Sequence, residues 1–133
     1  MKKVHILFDI GMLLLCIPVI FSGCNKKNLP SPLFTVTYTQ ITLQDGSAGV
    51  EFWADCSTID VKMTKVDILD PGRTNTITYK LNNVVYLKDA IFALQDVNVG
   101  YQKVGGVYQF TFTGNRVSDN SGFATVTNLN VAK

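Results

Sequence analysis

From Leu33 onward, apolar and polar residues alternate with a period of two, and β-branched residues are frequent. That periodicity belongs to strands with one face against a core. Phe34, Val36 and Tyr38 share a face, as do Ile77, Tyr79 and Leu81, and likewise Tyr108, Phe110 and Phe112. In Val50-Glu51-Phe52-Trp53-Ala54-Asp55-Cys56 the even positions form the apolar set, which sets Trp53 opposite, between Glu51 and Asp55. Tryptophan is highly buried on average, so two other assignments stand beside it: Trp53 lies against a neighbouring loop, or the odd face is the buried one and Trp53 fills the core.

Two segments change phase. Phe34 to Tyr38 gives way to Ile41 and Leu43, and Ile59 to Met63 gives way to Val66 and Ile68. Each slip predicts a β-bulge or a strand passing between two sheets. Turn residues punctuate the runs: Asp45-Gly46 suits a hairpin, Asp70-Pro71-Gly72-Arg73 a type II turn, and Asn82-Asn83 and Gly105-Gly106 mark breaks. About seven strands result: 33 to 43, 49 to 56, 59 to 69, 75 to 81, 84 to 95, 106 to 114 and 122 to 131. Leu87, Ile91 and Leu94 also fit one side of a helix, so a helical turn competes for part of the fifth.

Seven short strands in about 100 residues predict an all-β fold, a two-sheet antiparallel sandwich. The run Gly106-Val107-Tyr108-Gln109-Phe110-Thr111-Phe112-Thr113-Gly114, with the return from Gly122 to Val131, resembles the last two strands of immunoglobulin-like domains. The resemblance puts Tyr108 where those domains carry their corner tyrosine. The paired cysteines of antibody domains are missing, and no antibody-like binding site carries over.

The N-terminus follows another pattern. A basic start, Met1-Lys2-Lys3-Val4-His5, precedes a mostly apolar stretch from Ile6 to Phe21, interrupted by Asp9, Gly11 and Pro18. A membrane-spanning helix needs about 20 consecutive apolar residues, and this shorter stretch has the layout of a secretory signal peptide. Ser22-Gly23 supplies the small side chains a signal peptidase accepts, so cleavage is expected between Gly23 and Cys24. Phe21-Ser22-Gly23-Cys24 resembles the lipobox of bacterial lipoproteins, with phenylalanine in place of the usual leucine. The resemblance implies a Cys24 thiol joined to diacylglycerol and a new amino group that is acylated. Two or more acyl chains, at about 0.8 kcal/mol per buried methylene, hold a protein at a membrane. The partner implied is thus the membrane itself, through Cys24, and the location the bacterial cell envelope, with the outer membrane as the expected membrane and either a periplasmic or a surface-facing side.

Residues 24 to 32 read as the lipidated cysteine and a flexible tether, polar, basic and proline-containing. Lys26 and Lys27 either meet anionic headgroups or keep the linker soluble. Residues 33 to 133 form the single domain. Without the leader, 110 residues remain, with 10 Lys plus Arg against 9 Asp plus Glu. A domain of this size folds without cross-links. Its near-neutral charge, with no basic stripe joined to aromatic pairs, argues against a nucleic-acid partner.

Cys16 leaves with the leader and Cys24 is consumed by lipid, so Cys56 has no disulfide partner and reads as a small buried apolar residue. The only histidine, His5, lies in the leader, which removes the usual general base and commonest metal ligand from the mature chain. Asp67 and Asp70 flank a tight turn. Asp119, in Ser118-Asp119-Asn120-Ser121-Gly122, lacks the alternating carboxylates of a calcium loop. Catalytic residues, metals and cofactors are therefore expected to be none.

The sequence accordingly predicts a noncatalytic, membrane-anchored binding or structural module. One alternative is a carbohydrate- or protein-recognition module using exposed aromatics, with Trp53 the candidate binding residue; another is a hydrolase built on carboxylates. An enzyme would gather Asp, Lys and Tyr side chains in a concave pocket, whereas a recognition module would show an aromatic platform.

Overall fold

The computed structural model describes residues 29 to 133. Cys24, Gly23 and the rest of the predicted leader and tether up to residue 28 lie outside the described residues. Eight strands follow in order: β1 (Phe34–Thr42), β2 (Ala48–Cys56), β3 (Val61–Leu69), β4 (Thr76–Tyr86), β5 (Phe92–Ala93), β6 (Tyr101–Gln102), β7 (Gly106–Arg116) and β8 (Gly122–Val131). They make two antiparallel sheets, here sheet A and sheet B. Sheet A runs β1-β2-β5 with β6 also on β2, and sheet B runs β4-β3-β7-β8. The chain is an all-β sandwich, with β4 at one edge of sheet B beside β3 and β8 at the other.

Alternation decides the layers. Val50, Phe52, Ala54 and Cys56 of β2 are buried, and they meet Val61, Met63, Val66 and Ile68 of β3 and Tyr108, Phe110 and Phe112 of β7. Aromatic rings join the sheets: Phe34 stacks on Phe112 with centroids 4.1 Å apart, and Phe52 lies 5.0 Å from both Tyr108 and Phe110. Such pairs add about 0.5–1.5 kcal/mol each beyond their area burial. At the corner before β7, the Val104 amide donates to the Tyr108 hydroxyl at 3.1 Å. Tyr108 thus ties the loop to the strand it enters.

The predicted slip in β3 is a bulge. Register shifts between Met63 and Lys65 on both sides, which turns the buried set from odd to even residues. On the β7 side the bulge brings the Lys62 carbonyl against Gly114, where a Cβ would collide with it. On the β4 side Asn82 and Asn83 absorb the mismatch at φ 50° and 62°. Asparagine tolerates this left-handed region better than most residues.

Four expectations need correction. The slip in β1 is no bulge: its register against β2 is unbroken from Phe34 to Thr42. Ile41 and Leu43 instead lie on the outer side, where Gly49 and Gly100 leave them room. Asn82-Asn83 does not separate two strands, because β4 continues through it by the bulge just described. Residues 84 to 95 are not one strand, nor is there a helix there. After β4 the chain crosses between sheets and pairs only at β5, and the short β6 was not anticipated. The turn at Asp70 is not type II. Positive φ falls on Arg73 (53°) rather than Gly72, and the Asp70 carboxylate accepts the Thr74 amide at 3.2 Å, so a four-residue loop closes on a side chain.

Where β5 and β6 leave a gap, a side chain completes the ladder. Gln95, 5% exposed, accepts the Phe52 amide through Oε1 at 2.8 Å, while the Leu94 amide donates to the Phe52 carbonyl at 3.0 Å. Both backbone groups of Phe52 are thereby satisfied without a continuous strand. At the N-terminal end Thr58 acts as a clasp: its hydroxyl donates to the Ser31 carbonyl at 2.9 Å and accepts the Leu33 amide at 3.0 Å. Arg116 Nη1 reaches the Leu29 carbonyl at 3.5 Å.

Candidate functional site

Buried even positions on β2 leave the odd ones on the outer face of sheet A. Trp53 is there, half-buried, with half-buried Glu51 and Asp55 two residues away on either side. Across the β1 ladder these three face Thr39, Thr37 and Thr35, all exposed. On its other side Trp53 pairs with Ala93. Its cross-strand neighbours, a threonine and an alanine, are both small, and the indole itself is half-buried. The alternative that Trp53 fills the core is thereby corrected: Phe52 and Ala54, its neighbours in sequence, occupy the interior.

Charge on this face has one sign. No lysine or arginine occurs between residues 29 and 61, so the β1–β2 hairpin carries only acids. At the hairpin tip the Asp45 carboxylate accepts the Ser47 hydroxyl at 2.6 Å and the Ser47 amide at 2.9 Å, and these bonds hold its pKa below the ordinary aspartate value. Beside the tip, Ile41, Leu43, Val99 and Gly100 line a shallow groove of about 360 Å³. Extending the β2–β5 register by two residues sets Ile91, 73% exposed, beside Asp55. The face thus combines a central indole, two carboxylates, a row of hydroxyls and apolar margins.

A second concavity opens between the sheets at the end bearing the β3–β4 turn. Its volume is about 170 Å³, and Asp70, Asn75, Tyr101, Gln102 and Tyr108 supply its polar lining. Asp70 is the single carboxylate of that lining. Tyr101 donates a short hydrogen bond to the Leu94 carbonyl, and burial first, then Tyr79 and Asp96, pushes its pKa up to about 12. Tyr108 is raised as well, chiefly by burial. Both phenols are neutral near pH 7 and so are hydrogen-bonding groups there rather than bases.

The remaining residues singled out in the sequence are dispersed. Cys56 is buried at 1% exposure, with Sγ 3.7 Å from the Thr58 hydroxyl. Asp119 accepts both the amide and the hydroxyl of Ser121, at 3.0 and 2.7 Å, a self-contained turn that lowers its pKa. Asp67 faces outward on sheet B, where Thr78 donates at 2.6 Å and Lys65 at 2.9 Å; the Thr78 bond first, then Lys65, lowers its pKa. Among the described residues no three His, Cys, Asp or Glu side chains converge as a metal site would require. Sequence reasoning missed Gln95, whose role depends on a gap between strands that pattern alone does not reveal.

Comparison with protein-family models, with curated proteins and with solved structures finds no match for this chain.

Proposed function

We propose that this chain is a lipid-anchored, noncatalytic β-sandwich of the bacterial cell envelope that presents the outer face of sheet A to a protein or glycan partner. The observation that carries the binding reading is the position of Trp53. An indole held outside the core, on a rigid ladder between two carboxylates, offers a large contact area at the cost of few rotatable bonds. Neighbouring hydroxyls and carboxylates supply the hydrogen-bond partners that sugars and peptides need. The anchor rests on the lipobox-like Phe21-Ser22-Gly23-Cys24 after an apolar leader.

Each half has its own test. Cys24→Ser is expected to stop incorporation of labelled fatty acid; undiminished labelling removes the anchor. Trp53 is the only tryptophan, so intrinsic fluorescence reports this face alone. Its emission is expected to be quenched by acrylamide and to become protected on adding envelope glycan or envelope protein fractions. Trp53→Ala should leave the fold intact and weaken that binding at least about tenfold, as loss of a hot-spot aromatic does. Binding undiminished by the substitution removes the face from consideration.

A further inference from the structure

The outer face of sheet B is basic where that of sheet A is acidic. Lys62, Lys65 and Lys80 point outward from β3 and β4, against a single carboxylate, Asp67. Lys65 and Lys80 are direct cross-strand partners. Like charges so placed repel one another, and Asp67, 2.9 Å from Lys65, offsets one of them. Lys62 and Lys80 are exposed. Three exposed valines share the face: Val85, the cross-strand partner of Lys62, and Val107 and Val126, at 50%, 52% and 54% exposure. Cationic heads among short apolar side chains suit a surface whose outer layer is anionic and whose next layer is hydrocarbon.

The chain's own path brings such a surface within reach. Leu29 is held by Arg116, whose cross-strand partner Val61 directly precedes Lys62. Five peptide steps lead from Leu29 to Cys24 and span at most about 17 Å when extended. Packed sheets lie about 10 Å apart, so the face of sheet B, with its side chains, is roughly 11 Å from the middle of the sandwich. Val61 faces inward, so the tether leaves from the interior side of sheet B at the end where Lys62 lies, and its length still suffices to place its first residue in the plane that the basic face would touch.

We infer that the basic face of sheet B rests on the anionic phospholipid headgroups of the membrane that holds the chain, with Lys62 and Lys80 over phosphates and sheet A turned away. The inference rests on the Cys24 anchor proposed above and adds an orientation to it. It fixes which side is available: the Trp53 face looks outward from the bilayer.

The test uses the full lipidated protein on vesicles. Val85→Cys and Thr37→Cys place one reactive thiol on the outer face of sheet B or sheet A, Cys56 being buried; each is labelled with an environment-sensitive fluorophore. Co-flotation with purely zwitterionic vesicles and fatty-acid labelling of Cys24 report the anchor alone. Failure there withdraws the anchor and this proposal with it. Given the anchor, the Val85→Cys label is expected to be protected from acrylamide on vesicles containing phosphatidylglycerol and open on zwitterionic ones, with the Thr37→Cys label open on both. Each lysine near an anionic surface favours docking about fivefold, so Lys62→Gln with Lys80→Gln should lower the ratio of docked to undocked protein about 25-fold. At 1 M salt, where screening acts within about 3 Å, protection should vanish. Equal quenching of the Val85→Cys label on the two lipids, or protection that survives both lysine substitutions, overturns the inference while leaving the anchor in place.

Discussion

Sheet B is built from four long strands whose ladders run nearly end to end, whereas sheet A has two long strands and then a broken margin of two-residue pieces. Their outer faces differ too, lysines on one and an indole between carboxylates on the other. The difference shows where each sheet draws its order. Sheet B is held by backbone pairing, and its face can be specified by charge alone. Sheet A depends on packing behind it and on one buried amide, so the strand bearing Trp53 is positioned by residues on its other side. Site and core are thus coupled through β2, one residue apart.

The comparison breaks most sharply at Phe52. Phe52→Ala empties a site that touches Tyr101, Tyr108 and Phe110, and a loss of about 3 to 5 kcal/mol is expected in denaturant unfolding. Trp53→Ala, on the half-buried side of the same strand, should cost about 1 to 2 kcal/mol. Equal losses would mean that the indole supports the fold as much as the core does. Next in size is Gln95→Leu, which leaves the Phe52 amide buried without its acceptor. About 1 to 3 kcal/mol should be lost, and hydrogen exchange should rise at β5 and β6 before β3 or β7. Uniform exchange across both sheets would contradict the weaker margin.

Two pH experiments sharpen the contrast. Tyr101, at the margin of sheet A, has its folded pKa raised to about 12 from an ordinary 10. A raised value favours the neutral phenol in the fold, so this stabilisation is complete below about pH 10 and is lost as pH rises towards 12. Tyr101→Phe should flatten the alkaline decline seen by thermal unfolding. On sheet B, Asp67 has a lowered pKa, owed first to Thr78 and then to Lys65. Its contribution is present above the unfolded value near 4 and is lost as pH falls through the lower folded one. The effect is the smallest of the set, because the group sits at the surface. The stability difference between wild type and Asp67→Asn should shrink in acid; a constant difference would exclude ionisation as its source.

How much of this could be read from the chain depended on whether the cause was local. The inward set Val50, Phe52, Ala54 and Cys56 followed from alternation, and the bulge at Thr64 from a change of phase, because a period of two allows only two faces. The same reasoning misread Ile41 and Leu43. Their change of phase reflects outward side chains covering two glycines, a contact made across the sheet and silent in the strand's own pattern. It misread Asn82-Asn83 for a related reason: two left-handed residues end most strands, but here the opposing bulge absorbs them. The broken margin was invisible because β5 and β6 are two residues each, below the length at which alternation can be seen. Trp53 itself was legible as a residue and as a position. Which of its two faces lay outside became clear only from what packs behind it.

The clasp at Thr58 also determines how the domain answers to mechanical load. A pull on the chain ahead of Leu29 enters β1 at its first residue, and β1 is an edge strand paired on one side only. With a ladder on one side only, β1 has half the backbone pairing of an inner strand to resist that load. Before the pull reaches the Phe34–Cys56 pair, however, it must release the Arg116 bond to Leu29, the two Thr58 bonds to Ser31 and Leu33, and the Ser57 amide bond to the Leu33 carbonyl. These few contacts act as a strain relief, like the knot on a cable where it enters its housing.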